Sequence, residues 1–152
     1  MIAISIHNAK LLDDRLRQFE SFLQVLVAST DARDPITGGH SLKVTEYVVG
    51  ICREMGLSPE DTDMFRVAAL LHDYGKIGVE DEILKKPGRL SPEQYEVIKT
   101  HVDKSRTILG KIEFEGIYQE VPSIVGSHHE KMDGSGYPRG LKSTEIPLGA
   151  KI

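Results

Sequence analysis

An all-α fold is what this sequence predicts, and three observations predict it. Apolar residues recur at spacings of three and four in nearly every segment. No stretch alternates with the period of two that a half-buried strand requires, and two segments open on complete helix-start signals. At 152 residues the chain suits one domain with a single continuous core.

The first helix is expected over residues 9–30, where Leu12, Leu16, Phe19, Leu23 and Leu26 follow heptad spacing with charged residues between them. Such a stripe suits a signalling helix or a dimer seam, and equally an ordinary first helix packed on its own domain. A second helix over about 40–56 carries the stripe Val44, Tyr47, Val48, Ile51 and Met55. Ser58-Pro59-Glu60-Asp61 opens the third, with a hydroxyl at the N-cap, proline in the first turn and acids behind it. That helix runs to about Tyr74 along Phe65, Ala68 and Leu71. Ser91-Pro92-Glu93-Gln94 opens the fourth in the same way and adds a capping box. It is expected to continue to about Leu109 through Tyr95, Ile98, Val102 and Ser105. The fifth spans about 117–129 on Ile117, Val121, Ile124 and Val125, and GLSP, KKPGRL and the glycine-rich segment after Asp133 are connections.

Composition excludes several classes of function. A formal charge of −4 and a pI near 5.9, with Lys and Arg scattered, argue against a nucleic-acid polymer as partner. No apolar run approaches the roughly 18 residues of a bilayer span, and the opening MIAISI lacks the flanks of a signal peptide, so the chain reads as cytoplasmic. The single cysteine, Cys52, cannot form an internal disulfide and lies beside the apolar positions of its helix, where it reads as a small buried hydrophobe.

The histidines carry the chemistry. His40 stands one turn before the second stripe, His72 extends the third, His101 borders the fourth, and His128 with His129 ends the fifth. Only His7 falls outside this pattern. A lone histidine on an apolar face is usually a satisfied core residue. Five on or beside the inner faces of four helices would need many hydrogen-bond partners, whereas a metal satisfies them together and favours their neutral form. Metal sites in helical bundles are built in this way, from side chains on facing helices. Asp73, next to His72, supplies a carboxylate able to bridge two cations, and a bridged pair can activate a water and clamp a phosphoryl group.

LLHDYGKIG, with His72-Asp73 and Gly75-Lys76, is similar to the signature of HD-domain metal-dependent phosphohydrolases, and HHEKMDGSGYP resembles the second signature of the HD-GYP subfamily. The resemblance extends from about Asp34 to Ile152 through TGGHSLKV and ILKKPGRLSPEQYEVIKTHV. It implies an HD-domain helical bundle with a dinuclear site in its core and a bacterial phosphodiesterase that hydrolyses cyclic di-GMP to the linear dinucleotide or GMP. Iron or manganese would be the metals. By position, His72, Asp73, His101, His128 and His129 match the family's metal shell, and His40 matches the histidine of its preceding helix. Lys76 matches the lysine that approaches the substrate phosphate, and Asp73 and Lys76 would be the catalytic pair. Gly136, Tyr137 and Pro138 would form a lip of the substrate pocket, with the Tyr137 ring offered to a base or a partner protein. Gly134 and Gly136 could also simply turn the chain, and Asp133 could simply cap that turn.

Three departures refine the expectation. Ile36 stands where relatives with three metals carry glutamate, so two metal ions are expected. Tyr74 replaces the usual isoleucine of the HD motif. The family pattern also continues beyond Gly149-Ala150-Lys151-Ile152 into a helix with a further metal-binding aspartate, so the resemblance implies an HD-GYP domain over 31–152 that is incomplete at its C-terminus. Residues 1–30 would be a signalling or linker helix, since AISIHNAKLLDDRL resembles the last helix of a GAF sensory domain. Partners implied are cyclic di-GMP, diguanylate cyclase domains and a second copy joined through the N-terminal helix. The alternatives left open are an HD hydrolase of another phosphoester and a non-catalytic module that binds the nucleotide or a partner.

Overall fold

The computed structural model describes residues 2–34 and 39–152, and Ile36, on which the expectation of two metals rests, lies outside them. Every element among the described residues is helical, in agreement with the predicted class, and the only β-type pairing is an isolated bridge between Asp133 and Lys142. The helices are α1 (Ile2–Arg33), α2 (His40–Glu54), α3 (Pro59–Leu71), α4 (Asp81–Leu84), α5 (Pro92–Lys99), α6 (His101–Leu109), α7 (Val121–Val125) and α8 (Leu148–Lys151). Two 3₁₀ segments, Tyr74–Gly78 and Gly116–Glu120, precede α4 and α7.

Helix α3 is the centre of the bundle. Met64, Phe65, Val67, Ala68, Ala69 and Leu71 are all buried, because α1, α2 and α7 pack around it. Its start is the predicted one: the Ser58 hydroxyl accepts from the Asp61 N–H at 3.0 Å. The capping box of α5 is also present, with Gln94 N–H on the Ser91 hydroxyl and Ser91 N–H on the Gln94 side chain. Cys52 is fully buried in the core, as expected of a small hydrophobe.

Helix α1 runs for 32 residues, about 48 Å at the standard rise. Its heptad stripe divides in two. Leu23 is 1% exposed in the core and Phe19 meets the Tyr118 ring edge-on, whereas Leu12 and Leu16 are 60% and 55% exposed. The 30/31 boundary falls within its last turn.

Four expectations need correction. The face that α2 buries is Ser41, Thr45, Val48 and Cys52, while Tyr47, Ile51 and Met55 are exposed. Small side chains let α2 approach its neighbours, and the Thr45 hydroxyl avoids a desolvation penalty by donating to the Ser41 carbonyl at 2.7 Å. The expected helix over 91–109 is two helices, α5 and α6, divided at Thr100, whose hydroxyl donates to the Val97 carbonyl at 2.6 Å and competes with the helical ladder. α3 ends at Leu71 rather than Tyr74, and the HD motif turns into a 3₁₀ segment. The helix expected over 117–129 narrows to Val121–Val125, so that His128 and His129 stand on the turn beyond it.

Candidate metal centre

Three of the histidines are aimed by the local chain. His72 caps α3, His101 opens α6, and His128 follows α7, and each ring's Nδ1 lies 2.6–2.7 Å from the carbonyl three residues earlier: Ala69, Ile98 and Val125. A carbonyl can only accept, so Nδ1 carries the proton in each ring. In the neutral form Nε2 then bears a bare lone pair, which is the second-shell arrangement of a ligating histidine. His129 is aimed differently, by stacking on the Tyr137 ring at 4.6 Å between centroids.

These lone pairs converge. His101 Nε2 lies 3.2 Å from His128 Nε2 and 3.2 Å from one Asp73 oxygen, while His72 Nε2 lies 3.2 Å from the other. Acceptors facing acceptors are costly when buried, and a cation satisfies them at once. The donors form two groups able to hold a metal ion: His101, His128 and His129, and His40, His72 and Asp73. Asp73 stands between them. All six residues expected at a metal site are therefore assembled, though His40 is exposed rather than inward-facing, with its ring 5.7 Å from that of His72. The donor set is of imidazoles and one carboxylate, and it fits divalent transition metals.

Electrostatics follow from burial and pairing. Burial, followed by the neighbouring His72, pushes His128 down to about 3, and burial followed by His101 pushes His129 down to about 4. Both are neutral bases at ordinary pH. Burial would raise Asp73, but the adjoining His101 and His72 rings and the Lys76 ammonium hold it well below the usual carboxylate range. Burial likewise opposes charge on His72, and the Asp73 carboxylate more than offsets it, so His72 lies above its ordinary value.

Lys76 is placed beside this carboxylate, its Nζ 2.9 Å from Asp73. Gly75 permits the approach: a Cβ there would lie 2.0 Å from the His101 carbonyl oxygen. Its N–H donates to the Ser105 hydroxyl at 2.6 Å, and that hydroxyl donates to the His72 carbonyl at 3.0 Å, fastening the HD turn to α6. An open cleft of about 300 Å³ between α2, α3, α7 and α8 leads to His72 and His128.

The 128–140 segment closes on itself. Gly136 lacks a positive φ and is required for space, since a Cβ would lie 2.3 Å from the Lys131 nitrogen and 2.5 Å from the Glu130 Cα. Gly134 does turn the chain, with φ 81°, and Asp133 caps the turn by accepting from Ser135 N–H at 2.9 Å. Pro138 follows Tyr137 and lines a shallow pocket with it, Lys99 and Thr100. Burial, then the Tyr95 hydroxyl, raises the Tyr137 phenol above its ordinary value. Sequence reasoning missed Glu130, a buried carboxylate that accepts from the N–H groups of Arg139 at 2.7 Å and Leu141 at 2.9 Å. It also missed Asp34 as a site residue. The Lys76 ammonium donates to Asp34 at 3.2 Å, and nothing in the sequence distinguishes either acid from a solvated one.

Comparison with known proteins agrees with this geometry. A family profile described as HD domain matches residues 9–152. The chain is 40% identical over 147 residues to a cyclic di-GMP phosphodiesterase of Thermotoga maritima, with 94% of this chain and 40% of the relative covered. It is 38% identical over 137 residues to 3'3'-cGAMP-specific phosphodiesterase 3 of Vibrio cholerae, with 88% and 29% covered. To 3'3'-cGAMP-specific phosphodiesterase 2 of the same organism it is 32% identical over 151 residues, with 99% and 29% covered. The chain thus spans between 29% and 40% of the length of these relatives. Motifs, fold and relatives agree, and the chain belongs to the HD-domain family, in its HD-GYP branch.

Proposed function

We propose that this chain is a metal-dependent phosphodiesterase domain that hydrolyses cyclic di-GMP to the linear dinucleotide or GMP. The observation that carries the reading is the convergence of two donor groups on Asp73, with three imidazoles fixed in the ligating tautomer. His40, His72, Asp73, His101, His128 and His129 would hold two divalent ions, iron or manganese. Such ions supply Lewis-acid polarisation of the phosphoryl group and lower the pKa of the attacking water. The chain's own contribution is positional. Lys76 presents an ammonium to charge that grows on the phosphoryl oxygens, and the wall of buried residues behind His101 and His128 limits water to the cleft side. Tyr137, stacked on His129 with Lys99 Nζ 5.5 Å from its ring, and the adjoining Gly136 and Pro138 would form the lip that receives a base.

Around this site, α1 would act as the signalling helix of a domain that occupies 31–152, with Leu12 and Leu16 available to a second copy. Diguanylate cyclase domains are the protein partners this reading implies, in the cytoplasm. No described helix is long and apolar enough to cross a membrane.

The test is hydrolysis by protein reconstituted anaerobically with iron or manganese, offered cyclic di-GMP and 3'3'-cGAMP side by side. Cleavage of cyclic di-GMP, with about two metal ions per chain, is expected. Preference for 3'3'-cGAMP would move the substrate assignment toward the Vibrio relatives. Cleavage of an unrelated phosphoester alone would make the domain another HD hydrolase. Full metal loading and nucleotide binding without cleavage would make it a non-catalytic signalling module.

A further inference from the structure

Asp34, the residue that follows α1, is an acid in an unfavourable place. It follows the C-terminus of α1, where the helix dipole disfavours negative charge, and it is only 4% exposed. A buried carboxylate in such a field needs a compensating charge. Lys76 provides it at 3.2 Å, and the lysine side chain is itself 14% exposed.

Lys76 Nζ therefore sits between two carboxylates, Asp34 and Asp73. They are not equivalent. Asp73 also faces His72 and His101 and belongs to one of the donor groups, whereas Asp34 belongs to neither. A cation held at Asp73 would compete for its charge and repel the neighbouring ammonium. Asp34 then remains as the anion that keeps Lys76 at the cleft. The residue before it grips the same segment from the far side: Arg33 donates to the Val79 carbonyl at 2.7 Å and pairs with Asp81 at 3.0 Å. The chain at the end of α1 thus holds the 3₁₀ segment at its middle residue, Lys76, and just past its C-terminal end, at Val79.

We propose that Asp34 is the positioning residue of Lys76, and that the end of α1 sets where the lysine stands relative to the metal centre. The inference rests on the phosphodiesterase reading for its consequence in catalysis. It does not need that reading for the pairing itself.

The experiment combines amine labelling with a double-mutant cycle on the metal-loaded chain. Lys76 in the wild type should acylate at least about tenfold more slowly than the exposed Lys111, by peptide mass spectrometry, and Asp34→Asn should abolish most of that protection. Asp34→Asn should retain the wild-type metal content, lower kcat at least about tenfold and change KM less than about threefold. In a Lys76→Ala background the same substitution should produce no further loss, because the two residues act as one unit. Unprotected Lys76 in the wild type would overturn the proposal without any variant, even if Asp34→Asn failed to fold. Loss of metal in Asp34→Asn, or an additive loss in the Lys76→Ala background, would also overturn it, by assigning Asp34 to the metal shell or to general stability. If the wild type cleaves neither dinucleotide, the phosphodiesterase reading fails while the labelling still decides whether Asp34 holds Lys76.

Discussion

The His101, His128, His129 group and the His40, His72, Asp73 group meet at one carboxylate yet differ in what surrounds them. The first is anchored on a buried ring and reaches the cleft at His128. His101 is 1% exposed, and burial keeps His128 and His129 neutral. The second opens to the cleft: His40 is exposed, and its one anion is shared with the Lys76 ammonium. An all-imidazole group would leave a bound cation's charge uncompensated, whereas the more open group offers a carboxylate's charge and access with less support from packing. The difference teaches that like donors divide into a more buried half and a more open half according to where the chain presents them.

The largest effect is expected at the carboxylate where the two groups meet. Asp73→Asn should lower turnover by about 10²–10³-fold or more, since metal-derived charge stabilisation is worth several kcal/mol. Elemental analysis should show at least one ion lost per chain, and unchanged content would mean that the two groups do not depend on this carboxylate.

Replacing one histidine from each group separates them. His101→Ala empties a buried position and is expected to destabilise the fold by about 2–4 kcal/mol as well as reduce metal content. His40→Ala should change stability by less than about 0.5 kcal/mol, as an exposed site, while still reducing metal content. Chemical denaturation and metal analysis on the two variants decide it. Equal stability losses would remove the distinction between a buried and an open half.

Gly75→Ala probes the join without touching a ligand. The new methyl must displace the His101 carbonyl, and overpacking of this kind is worth about 1–3 kcal/mol. A lower denaturation midpoint with partial loss of metal is expected. A full metal complement at reduced stability would show that the halves tolerate separation.

The smallest effect lies away from the centre and serves as its control. Tyr118 donates to Asp63, and burial, followed by that carboxylate, pushes its phenol up to about 12. A folded value above the ordinary value of 10.0 means that the stabilisation is complete below pH 10 and is lost as pH rises from 10 to 12. Tyr118→Phe should flatten part of that alkaline loss in a melting-temperature profile and leave metal content unchanged.

Which parts of this were legible beforehand depends on how local the signal is. Helix starts at Ser58 and Ser91 are decided by residues within one turn, and the structure has both. The histidines and Asp73 were legible because few other arrangements explain so many imidazoles beside apolar stripes. The face of α2 was not, since Ser41, Thr45 and Cys52 bury only because a neighbour approaches closely. The break at Thr100 was missed for a related reason: the apolar spacing continues across it while the backbone does not.

The sequence by itself determined the all-helical class, the helix starts and the identity of the metal-capable side chains, because periodicity, capping and donor chemistry are properties of residues and their near neighbours. Tertiary structure alone decided which donors share Asp73, that Gly75 and Gly136 serve close approach, that Glu130 ties the glycine-rich loop, and that Asp34 meets Lys76 across 42 positions of chain. The physical reason is that a carboxylate's partner is chosen by distance and burial. Both are set only when helices far apart in the chain pack against one another.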